Sequence, residues 1–126
     1  MLKVGMYVRT EYGISKIVNI FFEKAGVFIE TDNGLGNCSM ATGGKMHKGI
    51  YVLEEDYGTF IDNNVKDTII DLIEVGDYVN GELVEYIDVD SYKDYVINNG
   101  YWCKQENIKT IVTHEQFEQM QYKVGE

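Results

Sequence analysis

Proline is absent from this chain of 126 residues, cysteine and histidine occur only twice each, and no hydrophobic run is long. Two cysteines are too few for a disulfide framework. No apolar stretch approaches the roughly 20 residues that a membrane-spanning helix needs. Residues 1–5 lack the apolar segment and the small-residue cleavage site of a secretory signal. These absences predict a cytoplasmic protein that does not interact with membranes and has no rigid linkers.

The residue types that perform catalysis or bind metals are scarce as well. The only histidines are His47 and His114. The sequence has no Gly-x-Ser-x-Gly elbow, no Cys-x-x-Cys pair and no His-x-x-x-His pair. Asp88 and Asp90, with Asp94 four residues later, resemble the start of a calcium loop but lack its glycine and its distal glutamate. We interpret both histidines as surface residues. The sequence therefore predicts a protein that is not an enzyme and has no cofactor or metal.

Basic residues are also few, 11 against 21 acidic ones, so the net charge is −10. The acidic residues are concentrated in the C-terminal part: residues 1–53 have a net charge of +2 and residues 54–126 a net charge of −12. Residues 54–94 alone contain 13 carboxylates and two lysines. A negative field repels phosphate backbones and attracts basic surfaces. We therefore expect no direct nucleic-acid binding and a basic protein partner, with plain solubility as the alternative explanation.

A short motif occurs twice in the chain. Residues 3–8 read KVGMYV and residues 74–79 read EVGDYV. The alternation of apolar and other residues is typical of a half-buried strand, and the glycine suits a turn with positive φ. A second match relates residues 64–70 to residues 107–112 if Asp67 is an insertion. The sequence therefore predicts two tandem copies of one β unit, within residues 1–71 and 72–126.

The predicted fold is mostly β, with two tandem small SH3-like antiparallel β units and a short C-terminal helix. Asn-Gly pairs at residues 80–81 and 99–100 predict tight hairpins. Thr113 and Gln116 form a capping-box pattern that predicts the start of the helix. The strands are expected in lobe 1 at residues 14–22, 26–31, 50–53 and 58–61, and in lobe 2 at residues 77–80, 82–89, 94–97, 100–103 and 108–112.

Lobe 1 is the longer copy, and its surplus is predicted to be a glycine-rich loop over residues 33–56. Glycines allow backbone N–H groups to approach an anion, and nearby cations would add attraction. A ligand-binding role is therefore one interpretation of this loop, and a flexible surface loop is the other. The candidate ligand-binding residues are Gly43, Gly44, Lys45, His47 and Lys48.

Lobe 2 combines carboxylates with a cluster of aromatic residues. Tyr101 and Trp102 are neighbours on a predicted strand and must point to opposite faces, so one of them is expected to be exposed. An exposed aromatic residue beside carboxylates is typical of a protein-binding hot spot, whereas core packing is the alternative. The candidate partner-binding residues are Asp77, Glu82, Glu85, Asp88, Asp90, Tyr92, Asp94, Tyr101 and Trp102.

Residues 70–81 and 108–118 contain the pattern VGDYVNG…IVTxEQFE. In this pattern the chain resembles a group of short uncharacterised proteins from Firmicute genomes, phages and prophages. The group has no assigned activity, so the resemblance transfers no catalytic residues. It implies a phage or mobile-element origin, and small acidic proteins from that source often inhibit host defence.

Two functional hypotheses follow from the sequence. The first is an acidic, anti-CRISPR-like inhibitor that binds a basic, nucleic-acid-handling host defence protein, with nucleic-acid mimicry as one mechanism. The second is a small-ligand binder, such as a sponge for a nucleotide messenger, that uses residues 43–49. An exposed strand edge would also permit a homodimer.

Overall fold

A computed structural model describes residues 1–88, 95–98, 101–121 and 124, with the backbone alone for residues 88, 95–98, 101 and 102. The chain is mostly β and its sheets are antiparallel. It divides into a first unit, Met1–Leu72, and a second unit, Ile73–Glu126. This division lies one residue beyond the predicted boundary.

The first unit is a six-stranded antiparallel sheet with one helix, α1, at Tyr57–Asn64. The strand order is β4-β5-β3-β2-β1-β6. The alternation in GISKIVNIFF and GVFIET predicts strands at 14–22 and 26–31, and the structure confirms both as β2 and β3. The strands are β1 Tyr7–Thr10, β2 Gly13–Phe22, β3 Gly26–Thr31, β4 Cys38–Thr42, β5 Lys45–Leu53 and β6 Val65–Lys66.

The core of the first unit lies on one face of this sheet, because alternate residues of each strand point the same way. Ile17 and Ile29 are fully buried there, and Tyr57, Phe60 and Ile61 of α1 pack against this core. Burying each such aliphatic side chain contributes about 1.5–3 kcal/mol. The buried members of the core are Leu2, Met6, Val8, Ile17, Val27, Ile29, Leu35, Val52 and Val65.

The second unit is a five-stranded antiparallel sheet in the order β10-β9-β8-β7-β11. Asn80 and Gly81 form the predicted tight turn between β7 and β8, with φ of 53° and 82°. Helix α2, His114–Met120, starts at Thr113 with both bonds of a capping box. The strands are β7 Tyr78–Val79, β8 Glu82–Asp88, β9 Tyr95–Asn98, β10 Tyr101–Lys104 and β11 Ile111–Val112.

The repeated motif has the same backbone geometry in both units. Gly5 and Gly76 have φ of 98° and 99°. The Gly5 N–H donates to the Ile17 carbonyl at 2.9 Å, and the Gly76 N–H donates to the Val84 carbonyl at 3.0 Å. The glycines are required because a side chain is strained at such positive φ. The repeat in the sequence therefore corresponds to a repeated turn, and in each unit the glycine of that turn is hydrogen-bonded to the second strand.

The second strand of each unit has a bulge at the equivalent position. In β2 the register shifts after Ile17, and in β8 it shifts after Val84. The unpaired residues are Val18 and Glu85. A bulge reverses the side-chain alternation beyond it. Residues after the bulge therefore point to the face opposite the one that the sequence alternation predicts.

The predicted match between residues 64–70 and residues 107–112 is wrong in its alignment. Val65 lies opposite Val8 in the first unit, and Ile111 lies opposite Val79 in the second. Val65 therefore corresponds to Ile111 and not to Ile108. The two copies connect to their last strand through segments of different length, which comparison of the sequences alone does not show.

The glycine-rich segment at residues 33–56 is not a long loop. Strands β4 and β5 form a hairpin within it, and Gly43 and Gly44 are its two turn residues, with φ of 54° and 80°. Two successive residues with positive φ characterise the turn that matches the twist of a hairpin. Strand β5 pairs with β3 as β10 pairs with β9. Strand β4 therefore has no counterpart among the described strands of the second unit.

The strand predicted at residues 58–61 was also wrong, because these residues belong to helix α1. Thr59, Phe60 and Ile61 favour strands intrinsically. Tyr57, Phe60 and Ile61 are spaced three and four residues apart, so a helix places all three on the core. Tertiary packing outweighs the local propensity here.

Neither sheet closes on itself within the described residues. Strands β4 and β6 are the ends of one sheet, and β10 and β11 are the ends of the other. The SH3-like geometry therefore stays an interpretation. Among the described residues, no helix is both long and apolar enough to cross a membrane.

Candidate functional site

The predicted partner-binding residues of the second unit have different environments. Asp90, Tyr92 and Asp94 lie outside the described residues, and Asp88, Tyr101 and Trp102 lie on strands for which only the backbone is described. Glu82 and Glu85 are exposed on β8. Asp77 is not at the surface.

Asp77 is fully buried in the second unit. Its Oδ2 accepts the Glu74 N–H at 2.7 Å, and its Oδ1 accepts the His114 N–H at 2.9 Å. The carboxylate thus holds both the repeated turn and the start of α2. The equivalent residue of the first unit, Met6, is buried in the core. The position points inward in both copies, which removes Asp77 from the predicted partner-binding surface.

Apolar side chains are exposed between β7, β8 and α2. The rings of Tyr78 and Phe117 stack with centroids 5.1 Å apart. Leu83 lies opposite Tyr78 in the neighbouring strand, and Met120 is one turn after Phe117. Leu83, Phe117 and Met120 are 46%, 41% and 71% exposed. These residues form a continuous apolar strip from β8 to the end of α2.

Exposed carboxylates lie beside this strip. Glu85 is two residues after Leu83 on β8, and Glu118 follows Phe117 on α2. Glu82 is adjacent to Leu83 and pairs with the buried Val79, so it points to the opposite face of the sheet. Burial raises the pKa of the Cys103 thiol, and the negative charge of Glu82 raises it further. We call this patch the acidic–apolar surface; it consists of Tyr78, Leu83, Glu85, Phe117, Glu118 and Met120.

The division into units also changes how the charge is assigned. Residues 54–71, which are acidic, belong to the first unit, so that unit has seven basic and ten acidic residues and a net charge of −3. The second unit has four basic and 11 acidic residues and a net charge of −7. The second unit is therefore the more acidic one, but the first unit as a whole is not basic.

Asp77, His114 and Glu115 come close enough to share a metal ion, because their ligand atoms lie within 4.8 Å of one another. Both oxygens of Asp77 accept backbone N–H groups, however. The His114 Nε2 lies 3.0 Å from a Glu74 carboxylate oxygen and 3.2 Å from one of Glu115. Capping of α2 and these polar contacts of His114 account for the cluster without a metal.

The predicted ligand-binding residues of the first unit lie on the β4–β5 hairpin. Gly43 and Gly44 form its turn, and Lys45 and Lys48 are exposed on β5. The turn is tight, since Thr42 and Lys45 on either side of it are paired directly. Residues 41–49 are thus two strands and a turn, not a loop that surrounds an anion.

His47 is only 5% exposed, so its prediction as a surface residue was wrong. Its Nε2 lies 2.8 Å from the Thr42 Oγ1, and its Nδ1 lies 3.1 Å from the Glu30 Oε1. The imidazole ring packs against Phe21 with centroids 5.0 Å apart. The Asn19 amide donates to the same Glu30 oxygen at 2.6 Å. Hydrogen bonds from Asn19 and then from His47 lower the pKa of Glu30, although partial burial opposes them.

The bulge in β2 explains how this cluster forms. Beyond Val18 the alternation reverses, so Asn19 pairs with Glu30 and Phe21 pairs with Phe28 on the face opposite the core. The cluster joins residues 17 positions apart, on β3 and β5. Sequence spacing does not reveal it, because the bulge and the hairpin register both have to be known.

A cleft of about 340 Å³ lies between α1, the β1–β2 turn and the start of β4. Its volume is at the lower end of the range for small-molecule sites, about 300–1,000 Å³. The side chain of Asn64 on its wall already donates to the Arg9 carbonyl at 2.8 Å. Other residues that line it are Thr10, Tyr12, Cys38, Tyr51 and Phe60.

No family model, no curated protein and no solved structure matches this chain. The features that bear on its function are therefore the acidic–apolar surface and the cluster of Asn19, Glu30, Thr42 and His47.

Proposed function

We propose that this chain is an interaction protein of phage or mobile-element origin, whose action on its partner is binding without catalysis. Its second unit binds and inhibits a basic, nucleic-acid-handling host defence protein. The observation that carries this proposal is the acidic–apolar surface, where exposed Leu83, Phe117 and Met120 lie among carboxylates of a unit with a net charge of −7. The two units serve as tandem SH3-like scaffolds.

The chemistry of the surface suits such a partner. Apolar and aromatic side chains at the centre of a patch supply most of the affinity once water is excluded. The surrounding carboxylates steer a basic surface into contact and speed association, an effect that salt screens. The partner is therefore expected to present lysines and arginines around an apolar pocket.

Comparison of the two units supports the same surface. Tyr7 of the first unit and Tyr78 of the second are equivalent in the repeat. Tyr7 lies opposite Lys16, whereas Tyr78 lies opposite Leu83. The scaffold is shared, but only the second copy has an apolar residue beside its tyrosine. A difference of this kind is expected where one copy has acquired a binding role.

The nucleotide-messenger sponge is the weaker alternative. Its glycines form a tight hairpin turn, and His47 is buried between Glu30 and Thr42. Only Lys45 and Lys48 of its predicted residues combine exposure with positive charge, and two lysines on a strand are weak support for a phosphate site.

The first prediction concerns capture and salt dependence. The intact chain is immobilised, a nuclease-treated bacterial lysate is passed over it, and the retained protein is purified and titrated. We expect a basic partner whose affinity falls at least tenfold between low and high salt. We also expect the chain to displace nucleic acid from that partner in a mobility-shift assay. Affinity that does not change with salt would contradict the proposal.

A matched pair of double variants locates the binding surface. E85Q/E118Q neutralises the carboxylates of the acidic–apolar surface, and E23Q/E54Q neutralises two exposed carboxylates of the first unit, so the net charge changes equally. The first set should weaken binding about tenfold or more and the second less than about threefold. Equal weakening by both would show that only the overall field matters and would reject the surface.

A further inference from the structure

Three functional groups of the first unit form a line of hydrogen bonds. The Thr42 hydroxyl lies 2.8 Å from the His47 Nε2, and the His47 Nδ1 lies 3.1 Å from the Glu30 carboxylate. A nucleophile within reach of a base that a third group orients is the arrangement used in covalent catalysis. We propose that Thr42, His47 and Glu30 form a nucleophilic relay that hydrolyses small activated carboxylic esters. This activity is separate from the partner binding proposed above.

Glu30 sets the tautomer of His47. The lowered pKa of Glu30 keeps its carboxylate ionised, and an ionised carboxylate only accepts hydrogen bonds. The His47 Nδ1 must then be the donor, and in the neutral imidazole the lone pair of Nε2 faces the Thr42 hydroxyl. Asn19 holds Glu30 in place from the other side at 2.6 Å. Glu30 and Asn19 are positioning residues, and His47 is the general base.

The relay joins a buried base, His47, to an accessible nucleophile, Thr42. His47 is covered by Phe21, whereas Thr42 is exposed at the end of β4. Around Gly43 and Gly44, the space that a Cβ would occupy has no other atom within 4 Å. An acyl group can therefore approach Thr42 from the side of the turn.

Two groups beside Thr42 can stabilise the oxyanion that forms. The N–H of Gly43 directly follows the nucleophile in the chain, as in other sites that use the next residue's amide. Lys45 lies opposite Thr42 in the hairpin and adds a positive charge. Donors placed where negative charge develops lower the barrier to acyl transfer.

The reaction balances without any further reagent. The Thr42 Oγ attacks the ester carbonyl carbon while its proton moves to the His47 Nε2. The bond from that carbon to the leaving oxygen breaks, and the alcohol departs with the proton. Water, activated by His47, then attacks the acyl-threonine, which releases the carboxylic acid and restores the hydroxyl.

The second prediction tests this relay with p-nitrophenyl acetate as the probe. The intact chain should release p-nitrophenolate faster than buffer, and peptide mass spectrometry should locate an acetyl group on Thr42. T42V keeps the shape of the side chain without its hydroxyl and should lose the activity about 100-fold. T42S retains a hydroxyl and should keep the activity.

The control experiments separate the relay from other reactive groups. The assay uses a C38S background, because Cys38 lies on the same strand and is partly exposed. E30Q should shift the pH profile of acetylation, which a purely structural role would not do. Circular dichroism checks that each variant folds. Full activity in T42V, or acetyl groups only on lysines or the N-terminus, would show that the three groups are a structural network.

Discussion

At the scale of single residues, burial decided which polar groups are available for function. Asp77 and Glu82 belong to the same acidic segment, yet Asp77 is buried in backbone hydrogen bonds and Glu82 is exposed. His47 and Lys48 are adjacent on β5 and point to opposite faces. The sequence identified these residues as polar, but the side of the sheet on which each lies depends on register.

The third prediction concerns the pH dependence that Glu30 contributes. Its pKa is lower in the folded state than the ordinary value of 4.5, chiefly because Asn19 donates to it. Below pH 4.5 the unfolded chain therefore binds the proton more readily. The stabilisation is complete above the unfolded-state pKa and disappears as the pH falls through the folded-state pKa.

E30Q tests this effect. At pH 7 it should lower the free energy of unfolding by about 1–2 kcal/mol, at the lower end of the effect of a hydrogen bond to a charged group because Glu30 is partly exposed to solvent. The difference from wild type should shrink as the pH falls toward 3. E23Q, which alters an exposed carboxylate, is the control and should leave the curve nearly unchanged. Urea titrations from pH 3 to 7 measure both, and a constant E30Q difference would contradict the prediction.

At the scale of elements, the pairing of β5 with β3 depends on one closely packed glycine. A Cβ on Gly49 would lie 2.1 Å from the Ile29 carbonyl oxygen and 3.1 Å from the Phe28 ring. No side chain fits there, so β3 and β5 approach each other only because residue 49 is glycine. Gly58 in α1 differs, since a Cβ there would have no other atom within 4 Å.

The fourth prediction compares these two glycines. G49A should lower the free energy of unfolding by about 2 kcal/mol or more, because strands must separate to admit the methyl group. G58A should raise it by about 0.5–1 kcal/mol, because alanine favours the helix and restricts the unfolded chain. Thermal and urea unfolding measure both. A neutral G49A would mean that β5 is not held against β3 as tightly as the structure indicates.

The elements also show where sequence patterns were sufficient. Strands β2 and β3 have long β-branched and aromatic runs, and both were predicted to within one residue. Residues 58–61 also contain β-branched and aromatic residues, but they form part of α1. A short apolar run fits either state, and in α1 only the packing of Phe60 and Ile61 on the core decided between them.

At the scale of the whole molecule, the two units differ in how much of the buried apolar core each contains. Every buried member of the large apolar core belongs to the first unit. The second unit comprises residues 73–126, a size at which a single core supplies little stability. The Arg9 side chain donates to the carbonyl of Leu72, the last residue of the first unit, at 3.0 Å. This hydrogen bond holds the end of the first unit to its strand β1.

The fifth prediction is that residues 1–72 fold alone. This fragment should unfold cooperatively and show dispersed amide resonances, because it retains the core and the Arg9–Leu72 bond. The control fragment, residues 1–64, lacks β6 and the buried Val65 and should be largely unfolded. A disordered fragment of residues 1–72 would contradict the division of stability between the units.

The sequence by itself determined the mostly β class, the repeated turn and the overall acidity. Each of these depends on local chemistry: alternation, glycines suited to positive φ, and a count of charges. Only the tertiary structure decided that the glycine-rich segment is a hairpin, that Asp77 is buried and that Thr42, His47 and Glu30 meet. These features depend on strand register and on the bulge after Ile17, which pairing between distant residues sets.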